Sequence, residues 1–200
     1  TGDAKIAILG NAFCLREHPL TLAEEHAMID CITGGRLISG FVRGIGAEYF
    51  AMGVNPAKSR ERHEEAHDLV IRAWTETGPF AFEGKHYHFE YVNVWPRPYQ
   101  KPHPPLWYGV HSTESADRAA RMGSNIVSLD TAEETREFAD RFRSVWDELH
   151  GVAKPLPLIG LGVFIFVAED DDTALRIARR AYPVWHDSFN WLFRRHNAPL

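Results

Sequence analysis

Apolar positions cluster in short blocks separated by amphipathic stretches. Lys5 to Ala12, Leu37 to Val42, Leu106 to Val110, Asn125 to Leu129 and Leu158 to Ala168 predict five strands. In the last block Ile159, Leu161, Val163, Ile165 and Val167 alternate with Gly160, Gly162, Phe164, Phe166 and Ala168. Neither face is polar, the pattern of a parallel sheet covered on both sides. Between the strands the period becomes helical. Thr21 with Glu24 and Thr131 with Glu134 have capping-box spacing, and each predicts a helix start. The first carries Leu22, His26 and Ile29 on one face, the second Phe138, Phe142, Val145 and Leu149. A further helix is predicted over Ser59 to Thr75, with Ala66, Leu69, Val70, Ala73 and Trp74 facing inward. Ser115 to Met122 predicts a short one ended by Gly123. Asp170 to Tyr182 predicts the last, stopped by Pro183 and followed by an aromatic tail from Val184 to His196.

Strand and helix therefore alternate, which predicts an α/β protein with right-handed crossovers. Residues 78–105 interrupt the alternation with six of the 12 prolines and many aromatics, and Glu83-Gly84-Lys85 predicts a hairpin between Phe82 and Tyr87. We read this as an ordered insertion packed over a strand end, within one domain spanning residues 1–200. Five strands are too few for a closed barrel of eight, so the fold is either doubly wound or an incomplete barrel.

With 44% hydrophobic and 24% charged residues the chain has the composition of a folded globular protein. A net charge of −5, with no unopposed basic run, argues against nucleic acid as a partner. No apolar run reaches the roughly 20 residues of a membrane helix. Cys14 and Cys31 have no Cys-x-x-Cys spacing, which suits a reducing compartment and predicts the cytoplasm. The opening Thr1-Gly2-Asp3 leads directly into a strand, as in a piece of a longer protein.

Three motifs carry possible chemistry. His63-Glu64-Glu65-Ala66-His67 fits H-E-x-x-H. Its histidines are expected at the edge of the buried face of a charged helix, and no third ligand follows, so no metal site is predicted. Gly40-Phe41-Val42-Arg43-Gly44-Ile45-Gly46 ends a strand with flexible backbone and a guanidinium, which suits a phosphate nest or an ordinary tight turn equally. His111-Ser112-Thr113-Glu114-Ser115 leaves a strand and opens a helix, where hydroxyls and free amides suit an anion; simple N-capping is the plainer reading.

A longer string of residues resembles the luciferase-like, flavin-dependent monooxygenases. It comprises His18-Pro19-Leu20, Leu22-Ala23-Glu24, Asp30, Gly34-Gly35-Arg36, Arg43-Gly44, Glu48, Gly53, Ser59-Arg60 and Glu65. Trp74, Phe82, Gly84, Pro96, Pro98, Gln100-Lys101-Pro102, Pro104-Pro105 and Ala119-Ala120-x-x-Gly123 follow in the same order. The resemblance implies a parallel (β/α)8 barrel, here an incomplete one beginning at the third strand and ending near the seventh. The catalytic residue expected on an earlier strand then falls outside the chain.

The resemblance further implies that Arg43, Arg60 and Ser112 grip the phosphate of reduced FMN, with Ile45, Gly109 and Ser115 in neighbouring contacts. Val42 falls near the flavin ring, where a thiol role is excluded. A non-proline cis peptide is implied near Asn11 to Phe13, which puts Asn11 at the cofactor too. The implied reaction puts one oxygen atom of O2 into a small substrate, with reduced flavin delivered by a separate reductase and a homo- or heterodimeric whole enzyme. The aromatic segment Phe80 to Trp107 is expected to cover the barrel mouth and keep it dry. The same resemblance leaves open F420-dependent hydride transfer on this barrel, or a flavin-binding remnant without turnover.

Overall fold

The computed structural model describes residues 2–195; the predicted tail reaches His196, which lies outside them. The elements are β1 (Ile6–Asn11), α1 (Pro19–Thr33), β2 (Leu37–Phe41), α2 (Gly46–Ala51), α3 (Ser59–Thr75), β3 (Phe80–Glu83) and β4 (His88–Val92). They continue with β5 (Leu106–Gly109), α4 (Thr113–Met122), β6 (Asn125–Ser128), α5 (Ala132–His150), β7 (Ile159–Leu161), α6 (Asp171–Phe189) and α7 (Trp191–Arg195).

The sheet order is β1-β2-β5-β6-β7, and every pairing in it is parallel. Strand order follows chain order, so successive crossovers stack their helices on one side, as in a barrel wall. Two packed layers show this. Phe41 and Leu106 join Leu22, Ala23, Ala66, Leu69, Val70 and Trp74 of α1 and α3. Tyr108, Val110 and Ile126 join Ala116, Ala119 and Ala120 of α4 and Phe138, Phe142 and Val145 of α5. The alternate residues Ile38, Val42, Trp107 and Val127 face the other way and are only half-buried. The sheet is thus an open wall, with β1 and β7 at its two ends.

The α1–α3–β2 layer is held by aromatic geometry as well as area. Phe41 lies edge-on to Phe13 at 4.7 Å, and the Trp74 indole N–H donates to the Ala23 carbonyl at 2.9 Å, so its polar end is satisfied in the core. His26 is buried too: Asn11 Nδ2 lies 3.4 Å from its Nε2, and its Nδ1 lies 3.0 Å from Ser39 Oγ.

Several sequence expectations need correction. α1 begins at Pro19, two residues before Thr21, because proline suits a first helical position whose N–H needs no partner. β7 ends at Leu161: beyond it the extended run has no neighbouring strand among the described residues, and Val163 to Val167 lie exposed. α6 runs through Pro183 to Phe189. The ring costs one backbone hydrogen bond, and Trp185, stacked on Phe189 at 5.3 Å and met by the tilted Tyr182 ring at 5.5 Å, holds the following turns.

No non-proline cis peptide occurs near Asn11 among the described residues; the cis bonds there are Trp95–Pro96 and Lys101–Pro102. Such a bond costs about 3 kcal/mol, and the chain instead turns at Ala12 (φ −89°, ψ 71°) into a short 3-10 turn, Phe13–Leu15.

His63 is not at the edge of α3: it is 2% exposed, packed at 4.9 Å from the Phe13 ring and 5.3 Å from Tyr108. Ser59, His63, Ala66, Val70 and Ala73 form one stripe, so the helical period reaches one turn further than the apolar residues suggest.

The insertion does not cover the C-terminal ends of the strands. Its β3–β4 hairpin lies against α3, where the Glu65 carboxylate accepts the backbone N–H groups of Lys85, His86 and Tyr87. The returning segment passes the opposite end of the wall, where buried Asp30 accepts both the backbone and side-chain N–H groups of Gln100, whose amide also reaches the Leu37 carbonyl. Charge-assisted bonds to two helix carboxylates outweigh the apolar attraction of a mouth, and Tyr91, Trp95 and Tyr99 remain exposed.

Candidate functional site

The C-terminal ends of β2 and β5 meet where a side chain would not fit: a Cβ on Gly109 would lie 2.8 Å from Val42 Cγ1. Beyond β2, the Arg43 carbonyl accepts from the Cys14 thiol at 3.0 Å and the Tyr49 hydroxyl at 3.1 Å. The same hydroxyl lies 2.9 Å from the carbonyl of Gly44, whose φ of 94° suits glycine. Burial pushes the Cys14 thiol up to about 11 and the Tyr49 phenol above its ordinary value, so both remain protonated donors at neutral pH. The backbone bearing Arg43 is therefore clamped from below, while its side chain is exposed.

Beyond β5, Ser112 caps α4. Its Oγ accepts the Ser115 N–H at 3.2 Å, and Ser115 Oγ accepts the N–H groups of His111 and Ser112, each at 3.0 Å. Glu114 sits in the first turn. Its own backbone N–H and the Ser112 hydroxyl, followed by the charges of Arg118 and Arg60, hold its carboxyl below the ordinary range. Arg43 and Arg118 both act on His63, beneath the β2 end, whose pKa burial lowers to about 3. Among the described residues, none of the Arg43, Arg60 and Arg118 guanidinium groups is spent on an ion pair or hydrogen bond.

These donors suit an anion, and Glu114 stands in for one at the helix end. A carboxylate held at a capped helix end in the field of two guanidinium groups is the chemistry that a phosphate also needs. Ile45 is differently placed: its N–H is already taken by Glu48 Oε2 at 2.9 Å. Asn11 belongs to another environment, with its side chain against His26. It borders a cavity of about 400 Å3 along the β1 edge, with Ile8, Ala12, Leu15 and Met52. Val42 donates its N–H to the Asn11 carbonyl. Among the described residues, no three His, Cys, Asp or Glu side chains come together as metal ligands.

Two features were missed from sequence. One is the Cys14–Tyr49 clamp, signalled only by polar residues in otherwise apolar surroundings. The other is a pair at the ends of β5 and β6, where His111 Nδ1 lies 2.8 Å from Asp130 Oδ2. Both members lie two residues past their strand, a regularity visible once strand adjacency is known.

The fold defines the class: a wall of parallel β/α units with Arg43 and the α4 cap at the C-terminal strand ends, the catalytic end of barrel enzymes. The chain belongs to the luciferase-like monooxygenase family, whose profile matches residues 9–198. It is 31% identical over 184 residues to the uncharacterized protein y4wF of Sinorhizobium fredii, covering 92% of this chain and 54% of that protein. It is 26% identical over 183 residues to the oxygenase component of a flavin-dependent trigonelline monooxygenase from Acinetobacter baylyi, covering 88% and 49%. An F420-dependent glucose-6-phosphate dehydrogenase of Kineococcus radiotolerans is 34% identical over 116 residues, covering 56% and 34%. Among solved structures, monooxygenase RslO1 from Streptomyces bottropensis superposes with a TM-score of 0.77 at 27% identity, covering 90% of this chain and 55% of that one. The chain spans about half the length of the curated relatives it matches. No helix among the described residues is long and apolar enough to cross a membrane.

Proposed function

We propose that this chain carries the phosphate-gripping part of a reduced-flavin-dependent monooxygenase that puts one oxygen atom of O2 into a small organic substrate. The observation that carries the reading is the α4 N-terminus: the Ser112 cap and the charges of Arg118 and Arg60 act on the Glu114 carboxylate, and Arg43 is exposed at the neighbouring β2 end. Bound reduced FMN would supply the two electrons that divide O2 between substrate and water. Arg43 and Arg60 would pair with the phosphate, Ser112 would donate from the α4 end, and Glu114 would swing out as the phosphate enters. Tyr49 and Cys14 would hold the Arg43 backbone while the ligand exchanges. Ser115 would keep the Ser112 turn in shape, and Val42 on Gly109 would close the wall beneath it.

We read residues 1–200 as one domain, cytoplasmic in setting, fed by a separate flavin reductase, and working with the rest of a longer enzyme as a homo- or heterodimer. A second reading, hydride transfer to or from F420, is supported by the likeness to an F420-dependent dehydrogenase. Anaerobic titration with reduced FMN and reduced F420, followed by oxygen consumption, separates the two. Arg43→Ala should weaken reduced FMN by roughly 10- to 100-fold, the equivalent of a lost charge-assisted bond of about 1.5–3 kcal/mol, and leave reduced riboflavin nearly unaffected. Equal losses for both flavins would refute the phosphate assignment.

A further inference from the structure

On the outside of the wall, α1 differs from its neighbours. The outward residues of α3, α4 and α5 are largely charged, among them Glu64, Asp68, Arg121, Glu137 and Asp140. On α1 the exposed stripe runs Glu24, Met28, Cys31 and Ile32, without charge over its last two turns. The insertion lies alongside. Val92 and Val94 bury with Ala23 and Ala27 of α1, and the alternate residues Tyr91, Asn93 and Trp95 are exposed. The Trp95 indole N–H donates to Asn93 Oδ1 at 3.1 Å, and Asn93 Nδ2 donates to the Tyr91 hydroxyl at 3.4 Å, which joins the three side chains in one ladder. Further on, the Cys31 thiol donates to the Arg97 carbonyl at 3.2 Å, and the Tyr99 ring lies over Gly35, where a Cβ would come within 3.0 Å of it. Helix stripe and ladder therefore form one continuous face.

The face has the composition of an interface centre. Met28 is 48% exposed, Ile32 77%, Tyr91 and Trp95 68% each, and Tyr99 64%. The nearby cations are turned aside: the Arg97 guanidinium donates to the Glu76 carbonyl and the Lys101 ammonium to the Pro98 carbonyl. Exposed aromatic and methionine side chains with charge withdrawn mark the buried part of protein interfaces. At about 150–250 Å2 for a whole aromatic side chain, the face offers roughly 500 Å2, so two copies together would cover roughly 1,000 Å2, the threshold of a specific interface. It lies on the helix side, so strands added at the β1 or β7 edge would extend the sheet without covering it.

The charges at its two ends have opposite sign. Exposed Glu24 stands toward the α1 N-terminus, with no partner among the described residues. Past the C-terminus, exposed Lys5 reaches the Gly35 carbonyl at 3.4 Å. A two-fold axis near Met28 sets α1 of two copies antiparallel, bringing each Glu24 to the Lys5 end of the other copy. We propose that this face is a homodimer interface, with α1 packed antiparallel on α1 of a second copy. It deepens the dimer reading above by naming the partner and the surface, and it does not depend on flavin.

The test uses the full chain. Analytical ultracentrifugation over a concentration series should give twice the chain mass. Ile32→Glu and Trp95→Ala should each give the single-chain mass, whereas Phe164→Glu, on the exposed run beyond β7, should keep the double mass. Glu24→Lys and Lys5→Glu should each weaken the dimer several-fold, and the two together should recover most of the loss, since the pair is then restored with its signs exchanged. Cys31 is exposed and Cys14 buried. Maleimide labelling of Cys31 should slow as the dimer forms, while Cys14 stays unreactive in every variant and so reports a folded chain. A single-chain mass for the wild type overturns the proposal. So does a dimer that Ile32→Glu leaves intact, or one lost in Phe164→Glu, which moves the contact to the other exposed face. A charge exchange without recovery overturns the antiparallel register. Reduced FMN affinity should be equal in wild type and Ile32→Glu; if the wild type dimerises as described but binds no flavin, the flavin reading fails and the interface stands.

Discussion

Among the described residues two histidines, His26 and His63, are buried and His67 is half-buried, all three held uncharged, and this predicts an acid-labile fold. Burial lowers His63 from 6.5 to about 3, with His67, Arg43 and Arg118 adding to the effect. Burial likewise lowers His67 and His26 to about 4. Each is depressed relative to the unfolded chain, so below 6.5 the unfolded state binds protons that the folded state refuses. Stability is complete above that value and falls with pH until the folded groups themselves titrate near 4 and 3. One such proton is worth about 1.4 kcal/mol per pH unit, so three together approach about 4 kcal/mol per unit near pH 5. A domain has only about 5–15 kcal/mol in total.

The lowered carboxylates act only toward the acid end of this window. Hydrogen bonds and charge from Lys85 and His86 hold Glu61 below 4.5, and those from Arg141 hold Asp117 below 3.8, so they release stability only at lower pH. His63→Leu removes one of the three protons and should cut the slope by about a third. It also removes two buried ring nitrogens that make no close hydrogen bond and are linked only to the Val42 backbone, so stability at neutral pH should not fall. Urea titrations of the full chain and the variant, at intervals from about pH 7.5 to about pH 5, measure both quantities. Stability that stays flat over that range, or an equal slope in the variant, would refute the reasoning.

Two further outcomes follow from backbone geometry. Gly40→Ala would set a Cβ 2.5 Å from Leu9 Cα and 2.6 Å from the Ile8 carbonyl oxygen, so β1 should part from β2 at a cost of about 1–3 kcal/mol, seen as faster exchange of the β1 amides; unchanged exchange would count against that packing. Tyr49→Phe removes the one hydroxyl shared by the Arg43 and Gly44 carbonyls; we expect about 1 kcal/mol less stability and a several-fold loss of reduced FMN affinity, and an unaltered affinity would show that the clamp does not position Arg43.

The parallel wall was legible because β2, β5 and β6 are buried on the helix side, and each apolar block carries its own boundary. The bounds of α3 were legible to the residue, but its buried stripe was read only from Ala66 onward, because Ser59 and His63 are polar residues on the inward face. The end of β7 was not, because strand length depends on a neighbour, and local pattern carries no information about that. The course of the insertion depends on Asp30 meeting Gln100 across 70 residues, a contact with no periodic signature. At the candidate site, Arg43 and Arg60 stand in the family-like string, and Ser112 was marked by its place between a strand and a helix; their hold on a phosphate is the proposal made above. His111 with Asp130 was hidden, since the two are 19 residues apart and become neighbours only when β5 lies beside β6.

Glu65 deserves a last consequence. By accepting three successive N–H groups from the β3–β4 turn, with Gly84 leaving room for its carboxylate, it makes the hairpin and α3 a single cooperative unit. The hairpin amides of Lys85, His86 and Tyr87 are then released to solvent only when the helix itself opens, so their hydrogen exchange reports the opening free energy of α3. A segment that interrupts the β/α alternation thereby becomes a gauge of the helix that carries Arg60.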